Sequence, residues 1–224
     1  MVPILILGGP ASGGVVLQGI LDLNRHSEIA PFECVGFLND AEPVGASIHG
    51  YPVRGGFDSW RDYADDIRFI GAVFHPDEMR ARHTRVAGLG IPEERWASVV
   101  HPAAWVADTA TLGPGCFIAS GVVLGPDVRV GSRTMIRSNV YVGHHSTIGD
   151  FTFIGSNASI NGRCIVGSRV HLGANCVLRD GVAIGDDGFV GIGAAVTKDV
   201  AAGDAVAGNP ARRLPRSRAA GADG

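Results

Sequence analysis

The chain has little to offer a highly charged ligand. Lys198 is the only lysine among 224 residues, charged residues make up 18%, and the formal net charge is −3. Neutralising nucleic-acid phosphates needs a basic face, so a dedicated nucleic-acid binder is excluded. No apolar run approaches the roughly 18 residues of a membrane-spanning helix. Met1-Val2-Pro3-Ile4 carries neither a basic stretch nor a small-residue cleavage site, which predicts a cytoplasmic protein. Neither G-x-G-x-x-G nor Gly-Lys-Ser/Thr occurs, which excludes a standard dinucleotide fingerprint and a Walker A loop. Aromatics are scarce at 7%, whereas 33 residues are glycine and 46% are hydrophobic. A chain so rich in small and aliphatic residues predicts a narrow, repetitive core.

The repeat is explicit. Every sixth residue from Val100 to Val196 is Ile, Leu or Val, 17 positions without an insertion or deletion. The residue four further on is small throughout (Ala104, Cys116, Ser146, Thr152 and Ala158 are examples), and Gly follows the aliphatic residue in 10 of the 17 repeats. A period of six fits neither a helix at 3.6 nor a long strand at 2. It fits short strands joined by tight corners, each pointing one aliphatic and one small residue inward, as in a hexapeptide parallel β-helix. Three hexapeptides make a coil of 18 residues, so the array spans nearly six coils, roughly 27 Å at about 4.8 Å per coil. Cys116, Cys164 and Cys176 occupy the small inward position on different walls, and read as core residues rather than metal ligands or disulfides.

Residues 1–97 lack the repeat. The apolar run Val2 to Leu7 is followed by Gly8-Gly9-Pro10-Ala11-Ser12-Gly13-Gly14 and a helical pattern from Val15. A second strand is expected at Cys34–Leu38, ending in Asn39-Asp40, a third at Ile67–Phe74, and a helix from about Asp77 to Leu89. Alternating strand and helix predicts a small parallel, Rossmann-like α/β domain whose first helix offers N–H groups to an anion. The Gly run also fits a tight turn with no ligand, and Asp40 fits either a ribose-binding carboxylate or an exposed turn residue. The division is then residues 1–97, a β-helix over 98–203 and a C-terminal tail over 204–224.

Reactive residues are few on the repeat. The exception is Val142-Gly143-His144-His145-Ser146-Thr147-Ile148-Gly149-Asp150, which places both histidines on a corner. One coil on from His144 is Gly162, leaving open space and a bare backbone amide beside the imidazole. That pairing suits a general base next to an oxyanion donor. Two exposed corner histidines are the plain alternative. A zinc site would need a partner subunit, because the nearest other repeat histidine, His171, is one and a half coils away.

The N-terminal Gly-rich unit, His101-Pro102-Ala103-Ala104, the uninterrupted repeat, Gly143-His144 with Ile148-Gly149-Asp150, and Gly208-Asn209-Pro210-Ala211-Arg212 together resemble one family. It is the hexapeptide-repeat acyltransferases with a left-handed β-helix, and within them the sialic-acid O-acetyltransferases and nucleotide-amino-sugar N-acetyltransferases. The resemblance covers about residues 2–214. It implies a homotrimer with sites between adjacent β-helices, acetyl-CoA as co-substrate, no metal, and a nucleotide-linked sugar as acceptor. It implies His144 as base, with His145 and Gly162 completing the catalytic set. Gly143, Phe153, Gly162, Ala174, Ile192, Lys198 and Arg212 would meet acetyl-CoA. Gly9, Ala11, Ser12, Gly13, Asp40, Phe74 and Arg137 would meet the nucleotide sugar. His145 stands where the family commonly has Asp or Glu, Arg137 where Asn is frequent, and Phe153 where a second histidine is frequent. A neutral His145 fixes a tautomer but adds no charge, so His144 is expected to be a weaker base than usual. Sugar O-acetylation by the same residues, and a non-catalytic sugar-nucleotide-binding or scaffold protein, are the competing functions.

Overall fold

The computed structural model describes residues 1–215. The N-terminal unit is a sheet with helices packed against it. It is built from β1 (Val2–Gly8), α1 (Pro10–His26), β2 (Phe32–Leu38), β3 (Ser47–Ile48), β4 (Tyr51–Gly55), β5 (Arg68–Ala72) and α2 (Met79–Ala87). Strand order is β3-β4-β2-β1-β5, parallel except for the β3–β4 hairpin. Ile4, Leu5, Ile6 and Leu7 in the central β1 are all fully buried, the continuous apolar pattern of a strand covered on both faces.

Helix α1 begins at Pro10, not after the Gly run as expected from sequence. Proline suits the first helical position because its missing N–H has no intrahelical partner there. The glycines inside the helix serve close packing. A Cβ on Gly13 would lie 2.9 Å from the Phe37 ring, and one on Gly19 would lie 2.6 Å from the Phe117 ring.

From Val99 onward the chain winds a three-walled prism of parallel two-residue strands. The first wall runs from Val99–Val100 through Met135–Ile136, Phe153–Ile154, His171–Leu172 and Phe189–Val190. The second includes Tyr141–Val142 and Ser159–Ile160, and the third Arg129–Val130 and Thr147–Ile148. Partners are 18 residues apart, as in Ile136↔Ile154 and Val142↔Ile160. From Ile118 to Val196 every aliphatic residue of the six-step series is at most 4% exposed. Each such burial contributes roughly 1.5–3 kcal/mol. The small inward hydroxyls are paired: Thr134, Ser146 and Thr152 donate to the carbonyls of Gly149, Asn161 and Gly167, each at 2.9 Å. The cysteines at that position are buried and free.

The corners carry a second regularity. Every sixth residue from Gly115 to Gly193 has φ between 53° and 76°, and Asp127, Asn139, His145 and Asn157 are among them. A non-glycine residue there costs about 1–2 kcal/mol, borne by the stacked coils on either side.

The first wall packs on the N-terminal unit. Phe117 and Met135 join Ile6, Val16, Ile20 and Phe37 in one apolar cluster, so the two parts share a core. Arg80–Asp187 and Arg133–Glu93 ion pairs, both 2.6 Å, tie the same parts together. The segment from 204 is not a free tail. Ala205–Ala207 extends the first wall beside Phe189–Val190, and Arg212–Arg213 returns antiparallel to it, so apolar Val206 is buried at the end of the prism. The rest of the expected tail, 216–224, lies outside the described residues.

Candidate active site

His144 sits on the corner between the second and third walls, directly after Gly143. Its neighbour His145 holds the left-handed slot, φ 60°. The His144 ring lies across Gly162: a Cβ there would be 2.8 Å from Nε2 and 2.9 Å from Cε1. Only glycine leaves that imidazole its position. The two Nδ1 atoms of His144 and His145 are 3.1 Å apart, and His145 Nε2 is 3.4 Å from a carboxylate oxygen of Asp127.

The Gly162 amide differs from expectation. It is not bare: its N–H donates to Asp180 Oδ1 at 3.1 Å. Asp180 is 18 residues further on and accepts that N–H because its carboxylate lies over the preceding coil, the same arrangement by which Asp150 takes the Ser132 N–H. An oxyanion can use this donor only after the exposed carboxylate swings aside.

The expected acetyl-CoA residues fall in separate places. Gly143 and Gly162 are in contact beside His144. Ala174 and Ile192, 18 residues apart, stack on the corner that follows the first wall, and Ile192 is 80% exposed. Lys198 and Arg212 line a cavity of about 400 Å³ at the C-terminal end of the prism, with Arg213 paired to Asp204 at 2.6 Å. Phe153 is on the first wall, stacked on His171 and 5.8 Å from Phe74. An expected co-substrate residue and an expected acceptor residue therefore meet each other rather than His144.

His171 completes a column with Phe153 and Phe189, ring centroids 4.9 and 5.2 Å away and planes within 9°. Its buried Nδ1 has no partner, and burial pushes its pKa down to about 4. Among the described residues no group of three or more His, Cys, Asp or Glu is placed to hold a metal ion.

At the N-terminal unit, Gly9 and Asp40 line a cavity of about 440 Å³ together with Asn39, Phe57, Arg82 and Arg85. Asp40 is already engaged: it accepts the Phe57 N–H at 2.7 Å and two Arg85 N–H groups at 3.1 and 3.0 Å. Buried Asn39 donates to the Gly8 carbonyl and accepts the N–H groups of Ala41 and Glu42, fixing the loop that carries Asp40. Ala11 lines a different cavity of about 360 Å³ between α1 and the first wall, where His101 pairs with Asp22 at 3.4 Å. Ser12 and Gly13 line neither, Gly13 because it is packed on Phe37. Arg137 is half-buried just after the first wall, and burial lowers its pKa. Among the described residues its guanidinium has no hydrogen bond or ion pair.

Sequence reasoning missed Asp127, Asp180, Asn39 and Arg85. The two aspartates lie one coil from residues it had singled out, so their signal was a separation of 18. Asn39 and Arg85 carry no such marker.

A family model described as bacterial transferase hexapeptide (six repeats) matches residues 109–144 and 145–180, so this stretch is an array of that repeat. No curated protein matches the chain. Among solved structures, the acetyltransferase domain of PglB from Neisseria gonorrhoeae FA1090 in complex with acetyl coenzyme A is 24% identical. The match covers 95% of this chain and 99% of that one, with a TM-score of 0.80. PerB from Caulobacter crescentus, in complex with CoA and GDP-perosamine, is 24% identical over 95% of this chain and 97% of that one, TM-score 0.78. WeeI from Acinetobacter baumannii AYE is 24% identical over 94% and 99%, TM-score 0.79. The likeness is of the whole fold, N-terminal sheet and left-handed β-helix together.

Proposed function

We propose that this chain is an acetyl-CoA-dependent acetyltransferase that N-acetylates a nucleotide-linked amino sugar, with His144 as general base. The observation that carries the reading is the His144 imidazole laid across Gly162, on an array of transferase-type repeats. Solved structures sharing the fold hold acetyl coenzyme A, or CoA with GDP-perosamine, which supports both the donor and the class of acceptor.

His144 Nε2 removes a proton as the sugar amine attacks the thioester carbonyl carbon. The tetrahedral oxyanion turns toward the Gly162 N–H once Asp180 has withdrawn. Collapse breaks the C–S bond, and the imidazolium returns its proton to the CoA thiolate. The amide product and CoA–SH balance the step. A half-buried, unpartnered Arg137 and the Arg85–Asp40 cavity supply cationic and polar contacts for an anionic nucleotide sugar.

A homotrimer follows from the same reading. His144, the Ala174–Ile192 column and Phe153 face different directions on one prism, and a seam between copies brings different corners together. Acetyl-CoA as donor favours a cytoplasmic reaction. A panel of UDP-, GDP- and dTDP-linked amino sugars with acetyl-CoA, read by mass, tests the proposal: a gain of one acetyl group on one acceptor supports it. The occupied Gly162 amide favours a non-catalytic, sugar-nucleotide-binding role. Binding of a nucleotide sugar with no acetyl transfer and no measurable acetyl-CoA affinity would establish that role instead.

A further inference from the structure

The geometry points to Asp127 as a positioning residue that acts through His145 to fix the tautomer of His144 and to charge it. This rests on the acetyl-transfer reading above. Asp127 and His145 are 18 residues apart, and both hold the left-handed corner slot, with φ of 58° and 60°. They therefore stack on successive coils. The chain of contacts runs Asp127 Oδ2 to His145 Nε2, 3.4 Å, then His145 Nδ1 to His144 Nδ1, 3.1 Å.

With His145 neutral, proton counting along this chain has one solution. An ionised carboxylate has no proton to give, so across the 3.4 Å ion-pair contact Asp127 favours the His145 hydrogen on Nε2. His145 Nδ1 is then a lone pair, and the hydrogen shared between the rings belongs to His144 Nδ1. His144 Nε2 is left unprotonated, and it is the ring nitrogen that lies across Gly162. When Nε2 takes a proton, the positive charge is relayed through His145 toward Asp127. The negative charge missing from the chain neighbour of the base is thus supplied from the preceding coil.

The charge of Asp127 is available for this task. Asp40, Asp187 and Asp204 are paired with Arg85, Arg169 and Arg213, whereas His145 is the only basic group within 4 Å of Asp127 among the described residues. The Asp127 backbone N–H is held by Thr109 Oγ1 at 2.9 Å, which anchors the corner. Arg163, next in the same column, pairs with no carboxylate in the described structure.

Two measurements test the assignment. In the intact protein, nitrogen-15 shifts of the rings should show His144 protonated at Nδ1 and His145 at Nε2, with Asp127→Asn mixing the tautomers of both. His144 protonated at Nε2 in the unaltered protein would overturn the assignment without any need for substrate. In turnover, Asp127→Asn should lower kcat roughly tenfold, a fraction of the roughly 10²–10⁴-fold that a positioned base supplies, with KM for acetyl-CoA unchanged. In a His145→Asn background it should have no further effect, since the link is already cut. Asparagine suits the left-handed slot, so both variants keep the corner. Unchanged kcat, or an equal loss in both backgrounds, would sink the role of Asp127. Full turnover in His144→Ala would instead remove the base, and the acetyl-transfer mechanism with it.

Discussion

His144 and His171 occupy one prism, yet their surroundings are opposite. His144 projects from a corner, half-exposed, with a second imidazole on one nitrogen and the Cβ-free Gly162 beneath the other. His171 projects from a flat wall between two parallel phenyl rings, its Nδ1 unpartnered and its pKa lowered to about 4 by burial. A wall side chain is pressed between the coils above and below, whereas a corner side chain has solvent on its free side. The proton transfer proposed for His144 suits a corner, where water reaches the ring. The wall histidine remains a neutral packing element.

The contrast is sharpest in paired substitutions. His144→Ala should cut turnover by roughly 10²–10⁴-fold, the usual worth of a general base, and leave the melting temperature nearly unchanged. His171→Phe should do the reverse, extending the Phe153–Phe189 column while retaining turnover. A His171→Phe variant that loses activity as severely as His144→Ala would erase the distinction between corner and wall.

Next in size is the effect of Asp180. Freeing the Gly162 N–H by Asp180→Ala should raise kcat by roughly tenfold, about 1.4 kcal/mol, because an anion beside the developing oxyanion opposes catalysis. Reduced kcat would mean that Asp180 orients the amide rather than competing for it.

A smaller effect concerns acid. The folded-state pKa of His171, about 4, lies below the ordinary 6.5. The unfolded chain therefore binds the extra proton between those values, and stability contributed by neutral His171 is complete above pH 6.5 and lost as pH falls toward 4. Phe153 and Phe189 stack on the ring, and Asp77 and His75 are the charged groups whose fields reach it. Melting temperatures between pH 7 and pH 4 should fall less steeply in His171→Phe than in the unaltered protein. Equal slopes would assign the acid sensitivity elsewhere. The mildest change is expected from Arg137→Ala: KM for the nucleotide sugar should rise several-fold, on the scale of one ordinary hydrogen bond of about 1 kcal/mol, with kcat retained.

How far the sequence could be read differs between the same two settings. Wall positions were legible because a residue six steps from Ile148 or Ile154 has one geometry open to it, inward and buried. The His144–Gly162 pair was legible by adding 18. Asp127 beside His145, and Asp180 over Gly162, obey the same sum, but the neighbour along the chain draws attention away from the neighbour across coils. The N-terminal unit has no such ruler. There the Gly run reads as a loop, yet Pro10 to Gly14 are already helical, and Gly13, with Gly19 further on, lets Phe37 and Phe117 approach α1 closely. Arg85 reaches Asp40 across 45 residues through tertiary packing alone. The β3–β4 hairpin, too short to show alternation, carried no pattern to detect.

The left-handed slot at every sixth residue makes the prism a vernier. Removing 18 residues between two equivalent corners rejoins the chain one full thread lower, every aliphatic side chain still inside. Removing one residue sends the next Ile or Val to the outer surface and places a β-branched or bulky residue where the backbone must turn left. Length in this half of the molecule is countable only in whole turns, and the place of the His144 corner along the prism changes by steps rather than by degrees.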